Sequence, residues 1–283
     1  MKSITLCADD YGQNTAISQA ILALLQEKRL SATSCMTNTP FWSTQAAWLK
    51  PLKEQADIGL HINLTQGYAL SSAWIAREGT SFPSLFTLLK KSYLRQLDKT
   101  AVLGELHAQL DQFIRELGRM PDFIDGHQHV HQLPVIRDTL LTFYHERLRP
   151  HACYVRCLDN SKTWLQIKEE AYIKRVIIQL CGANTFKQQL VKNKIPHNAS
   201  FSGIYNFAHA SCYSKLFPSF LQQSRAGGLI MCHPGLENSH TTDEIAKSRV
   251  KEYEYFQSEE FLEACQIHQV AIGRFVNIYP IAS

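Results

Sequence analysis

Residues 125–131 read DGHQHVH, a carboxylate followed by three imidazoles at every second position. Carboxylate and imidazole are the side chains that ligate borderline metal ions and carry protons near neutral pH. Alternate residues of a strand share a face, so Asp125, His127, His129 and His131 are expected to point one way, about 7 Å apart in sequence order. Two such imidazoles reach one ion, or one ligates while its neighbour orients it or the substrate. A third lies too far along the strand.

Four further apolar runs carry polar residues of the same kind. ITLCA leads into Asp9 and Asp10. GLHINLT holds His61, YVRC holds Arg156, and LIMC leads into His233. Taken singly, each has a plain structural reading. An aspartate caps a helix, a lone histidine in an apolar strand is usually a satisfied buried side chain, and a buried arginine usually closes an ion pair. Two adjacent carboxylates repel each other, however, and a nearby cation relieves that repulsion. Five strand ends delivering ligating or charged groups together are hard to explain as packing.

Those runs alternate with helical periods. Helices are expected at 14–28, 39–50, 100–117, 134–145, 160–196, 211–223 and 242–264. Strands are expected at the N-terminal run, 31–38, 56–65, 121–131, CYVRC (153–157), 201–207 and 227–235. Residues 66–99, rich in Ser and Thr, read as a long variable loop with one helix. Alternation of this kind predicts a parallel β/α architecture in a single domain over 1–283, with its site at the C-terminal ends of the strands. ADDYGQN is neither a dinucleotide fingerprint nor a P-loop, so nucleotide binding is not favoured.

Composition sets the class. Of 283 residues 45% are hydrophobic and 19% charged, and the net charge of +4 comes without any Lys/Arg stripe, which argues against nucleic acid as a partner. No apolar stretch is long enough to span a membrane. The N-terminal MKSITLCADDYG lacks a secretory pattern, so a cytoplasmic protein is expected. The eight cysteines include no CxxC pair and are expected to be reduced. Cys153-x-x-x-Cys157 lacks the second pair that a tetrahedral metal site needs.

The stretches CADDYG (7–12), GLHINLT (59–65), IDGHQHVH (124–131), YVRC (154–157), FSGI (201–204), MCHPG (231–235) and SRVKEYEYF (248–256) run in order along most of the chain. Together they resemble the YdjC-like carbohydrate deacetylases. The resemblance implies a distorted parallel (β/α) barrel similar to NodB-type deacetylases, one divalent metal ion, and hydrolysis of an N-acetyl group on an amino sugar or oligosaccharide. It implies Asp10, His61 and His127 as metal ligands, Asp9 as general base, His233 as general acid and Arg156 as the residue holding base or substrate. Tyr11, Asp125, His129 and His131 also fall on the motifs, as residues lining the substrate cleft or supporting the ligands. Tyr11 stands where the family has another aromatic and is expected to add a hydrogen bond to the site. His129 is left open as a further ligand. The family also suggests a homodimer.

The ligand set suits Zn²⁺ by softness, whereas the family is often described with Mg²⁺; both are carried. Two other readings stand beside the deacetylase. A metal-dependent phosphoesterase would also use a His/Asp rim, commonly with two or three ions. A sugar-binding protein with a vestigial site would keep the residues without turnover.

Overall fold

A computed structural model describes residues 1–158, 182–207, 213–238 and 243–278. The expected helix at 160–196 lies partly outside that range, as do Cys181 and Cys212. The elements run β1 (Lys2–Tyr11), α1 (Thr15–Gln26), β2 (Ala32–Cys35), α2 (Trp42–Leu49), β3 (Asp57–Ile62), α3 (Ser72–Glu78), α4 (Leu85–Tyr93), α5 (Lys99–Leu117), β4 (Phe123–Gly126), α6 (Ile136–Phe143) and β5 (Tyr154–Val155). They continue with α7 (Asn184–Lys192), β6 (Phe201–Ser202), α8 (Tyr213–Gln223), β7 (Leu229–Cys232), α9 (Ala246–Gln257), α10 (Glu259–Ile267), β8 (Val270–Ile272) and α11 (Phe275–Ile278).

All strand pairs are parallel, in the order β5-β4-β3-β2-β1-β7-β6, with β8 also on β1. The first strand is therefore an interior one, between β2 and β7. The sheet curls into a distorted barrel. Its edges meet at a seam, where Val155 forms a lone parallel bridge with His197 in the segment leading into β6. Asn198 reinforces that seam. Its side-chain oxygen accepts from the Cys157 N–H (2.7 Å), and its amide donates to the carbonyls of Cys157 (2.8 Å) and Ser200 (2.9 Å).

Strand alternation sorts the core into two bodies. Leu6, Ala8, Ile58, Leu60, Ile62, Ile124, Val155 and Ile230 pack outward against the helices. Cys7, Ala32, Phe123, Tyr154, Phe201, Leu229 and Met231 face inward and fill the barrel. Two residues further along β1, β2 and β4, at Asp9, Ser34 and Asp125, the apolar filling gives way to polar side chains.

Helix boundaries follow their caps. Asn14, Ser71, Ser84, Asp98 and Ser258 each accept a backbone N–H of the first turn of the helix that follows. Ser71 and Ser84 start two helices within 66–99, where one was expected. Ser258 splits the expected 242–264 helix into α9 and α10. Among the described residues no helix is long and apolar enough to cross a membrane. The described cysteines are buried thiols.

Candidate metal centre and reaction site

The polar layer begins with an irregularity in β1. Ala8 pairs with Thr33 and Tyr11 with Cys35, so three steps of β1 oppose two of β2. This is a β-bulge, and Asp10 sits in it with φ of 71°, in the left-handed region. In a regular strand Asp9 and Asp10 would face opposite ways. The bulge turns Asp10 toward His61 and His127, while Asp9 beside it faces Arg156.

Asp10 gathers one set of donors. Its Oδ1 lies 2.9 Å from His127 Nδ1 and 3.4 Å from His61 Nε2. One donor atom from each of the three residues lies within 4.8 Å of the others. Ligands spaced in this way can surround a single ion with bonds near 2 Å. His61 Nδ1 lies 2.6 Å from Asp125 Oδ1, which also accepts from the Ser34 hydroxyl. That is the carboxylate–histidine arrangement that fixes a ligating imidazole: Nδ1 donates to Asp125, and Nε2 is turned toward Asp10.

Electrostatics favour a cation at this point. Burial alone would lower the His61 pKa, but the carboxylates of Asp125 and Asp9 outweigh it and push it up to about 10. A proton on Nε2 there sits between His61 and Asp10, where an ion would sit. Burial would raise Asp10, yet Arg249 and His127 hold it well below the usual carboxylate range. The residues present thus fit a divalent metal of the nitrogen–oxygen-ligated kind.

Asp9 belongs to a second group. Arg156, fully buried just beyond β5, donates from Nη1 to Asp9 Oδ2 and from Nη2 to Asp9 Oδ1, both at 2.6 Å. Its Nη2 also lies 2.6 Å from Asp125 Oδ2 and 3.2 Å from Cys7 Sγ. Cys7, Asp9 and Asp125 are close enough to hold an ion themselves, but the guanidinium already bridges them. Arg156 therefore holds Asp9 in place and at the same time anchors Asp125, the partner of His61.

His233, one residue past β7, completes the layer. Its backbone N–H donates to Glu252 Oε2 (2.5 Å), and its ring stands edge-on to Phe207 at 5.4 Å. Burial is the main cause that brings its pKa down to about 4, with Asp10 and Asp9 opposing. Ring atom Nδ1 is buried without a hydrogen-bond partner among the described residues.

The DGHQHVH run departs from the strand reading. β4 ends at Gly126, and residues His127–Gln132 form a tight 3₁₀ turn in which Gln128 and His129 have φ of 50° and 61°. The alternating face argument therefore fails beyond Gly126, and the three imidazoles separate. His127 joins the donor set. His129 stands edge-on to Phe201 at 5.8 Å. His131 folds back under the strand, where Nε2 donates to the Arg156 carbonyl (3.0 Å). A Cβ on Gly126 would lie only 2.9 Å from His131 Nδ1. Tyr11 also departs from expectation: it is fully buried and its hydroxyl donates to the Gln45 carbonyl (2.8 Å) rather than into the site.

Residues that the sequence did not single out complete the layer. Ser34, Arg249, Glu252 and Tyr205 all touch it. Arg249 and Glu252 lie in SRVKEYEYF among the exposed Lys247, Lys251 and Glu254, so charge alone does not mark them. Their i, i+3 spacing, which puts both on one helix face, is the available signal.

A family model described as "YdjC-like protein" matches residues 3–266. A "Carbohydrate deacetylase" of Danio rerio is 30% identical over 140 residues, covering 48% of this chain and 44% of that protein. A "Chitooligosaccharide deacetylase" of Yersinia enterocolitica is 28% identical over 151 residues, covering 53% and 58%. The chain thus spans about half the length of the curated relatives it matches. A crystal structure from Enterococcus faecalis V583, described as a "putative cellobiose-phosphate cleavage protein", superposes with a TM-score of 0.71 at 18% identity, over 98% of both chains. At that identity the likeness is one of fold.

Proposed function

The chain belongs to the YdjC-like protein family, and from that premise we propose that it is a metal-dependent carbohydrate deacetylase, removing N-acetyl groups from an amino sugar or short oligosaccharide. The observation that carries the proposal is the convergence of Asp10, His61 and His127 around one point, with Asp125 behind His61 and the Arg156-held Asp9 alongside. The relatives described as carbohydrate and chitooligosaccharide deacetylases supply the substrate class.

A divalent ion held by Asp10, His61 and His127, Zn²⁺ or Mg²⁺, supplies a lowered water pKa and an electrophilic pull on an amide oxygen. The chain's own residues do the rest. Asp9 takes the proton of the attacking water through the lone pairs that its two Arg156 contacts leave open. Arg156 keeps Asp9 from rotating and balances its charge. His233 delivers a proton to the leaving nitrogen. Burial keeps it neutral at rest, so it takes up that proton from solvent during turnover, as negative charge grows beside it, and Asp9 returns the water's proton to solvent when acetate leaves. The rings of His129 and Phe201 pack beside Arg156, and His131 holds the Arg156 backbone from the other side.

The phosphoesterase reading commonly calls for a second or third ion, and the other carboxylate group is already bridged by Arg156. The test is acetate release from N,N′-diacetylchitobiose by metal-loaded protein, with a chelated control and bound metal counted. Chelator-sensitive release with about one ion per chain is expected. Asp9→Asn should keep the metal and lose most turnover, whereas His61→Ala should lose both. Full activity in Asp9→Asn would remove Asp9 from the role of base. Bound metal without release of acetate from any acetylated sugar would leave the sugar-binding reading.

A further inference from the structure

We propose that α9 positions both halves of the reaction centre, with Arg249 setting the carboxylate of Asp10 and Glu252 setting the chain at His233. The roles of those two targets rest on the deacetylase reading, while the contacts themselves do not. Arg249 and Glu252 are three residues apart and so lie on one face of the helix. Both are buried, at 3% and 0% exposure. Charged side chains are rarely buried unless each is tied to specific partners.

The partners are informative. Arg249 donates from Nη2 to Asp10 Oδ2 (2.7 Å) and to Gln13 Oε1 (3.1 Å), and its Nε donates to Asp243. Oδ2 of Asp10 is thereby occupied, and Oδ1 is left facing His61 and His127. Asp10 sits in a bulge with a left-handed backbone, where the regular ladder does not fix the side chain. Arg249 supplies that constraint from outside the sheet.

Glu252 acts on the opposite flank. It accepts from the His233 backbone N–H (2.5 Å) and from the Tyr205 hydroxyl (2.6 Å). The His233 ring has no hydrogen bond at Nδ1 among the described residues, so its place is set by its backbone and by the ring of Phe207. α9 holds both: Ser248 donates to the Phe207 carbonyl (2.9 Å), and the Gly235 N–H donates to the Arg249 carbonyl (3.1 Å). A Cβ on Gly235 would come within 3.0 Å of Arg249 Cβ, so the His233–Gly235 segment lies directly against the helix. One rigid element thus sets the separation between a residue from β1 and one from the end of β7.

The experiment compares Arg249→Met, Arg249→Lys, Glu252→Ala, Glu252→Gln and Tyr205→Phe with the parent. Metal-stripped protein is titrated with Zn²⁺ against a chromophoric chelator. kcat and KM are measured on reloaded protein, and amide exchange is followed over residues 230–236. Arg249→Met should weaken Zn²⁺ binding by about 10- to 100-fold, with Arg249→Lys between it and the parent. Glu252→Ala should bind Zn²⁺ like the parent, lose kcat by about 10- to 100-fold at unchanged KM, and speed exchange over 230–236. Glu252→Gln, which still accepts the His233 N–H, should recover part of that loss. Tyr205→Phe should show a smaller effect of the same kind, and it covers the case in which Glu252→Ala does not fold. Parent-like Zn²⁺ affinity in Arg249→Met, or Zn²⁺ affinity lost equally in Glu252→Ala, would overturn the proposal. If the parent binds Zn²⁺ but releases no acetate, the deacetylase reading falls, and affinity and exchange still decide the roles of Arg249 and Glu252.

Discussion

Asp9, Asp10 and Asp125 are all buried, and two arginines divide the task of balancing them. Asp9 and Asp125 share Arg156, Asp10 is held by Arg249, and the imidazoles of His61 and His127 stand between the two groups. The histidines divide in the same way. His61 is driven toward its charged form by carboxylates, whereas burial, aided by Arg156 against Asp125, brings His131 down to about 4. This has a measurable consequence for stability. In the unfolded chain His131 takes up a proton near its ordinary pKa of 6.5, and in the folded protein it does not until about pH 4. Its contribution is therefore fully present above pH 6.5 and is lost as pH falls toward 4, by about 3 kcal/mol. His131→Gln cannot titrate and can still donate to the Arg156 carbonyl. The fall in urea midpoint between pH 7 and pH 4.5 is expected to be shallower in the variant than in the parent. Equal slopes would mean that His131 charges in the folded state.

Each element contributes one short reach of chain to the site, and several of those reaches depend on an unusual backbone. Gly203, just after β6, has φ of 104°, and a Cβ there would lie 2.1 Å from the Met231 carbonyl oxygen. Gly203→Ala must displace the end of β7, from which His233 emerges. It should destabilise by about 1–3 kcal/mol and depress kcat, read from a denaturant curve and an activity assay on the same sample. The sequence revealed the strands well because four of the inward polar residues follow an apolar one two positions earlier: Cys7 and Asp9, Phe123 and Asp125, Tyr154 and Arg156, Met231 and His233. It misled at 127–131, because a spacing of two in a tight turn looks the same as a spacing of two in a strand. Only the φ values of Gln128 and His129 distinguish them. It was silent on α9, where Arg249 and Glu252 are hidden among solvated charges of the same helix. The bulge that aims Asp10 was legible only indirectly, as a second aspartate that a helix cap does not need.

At the scale of the whole molecule the barrel is closed by side chain more than by ladder. Asn198 carries three hydrogen bonds across or beside the seam between β5 and β6. At about 1 kcal/mol each, Asn198→Ala should cost about 3 kcal/mol. Amide exchange should speed at 155–158 and 198–202, while β1, β2 and β3 stay protected. Uniform acceleration across the sheet would show that the seam opens only with the whole fold.

The interior position of β1 also bears on how the chain is made. Its partner on one side, β7, begins only at Leu229, and the guanidinium that steadies Asp10 is 239 residues further along the chain. At ordinary rates of synthesis, roughly 10 to 40 s separate the emergence of β1 from that of β7. Throughout that interval a strand whose last eight residues are buried in the finished fold presents one bare hydrogen-bonding edge, the template on which chains aggregate. A nascent chain stalled before residue 229 is, on this account, the species that most needs a chaperone.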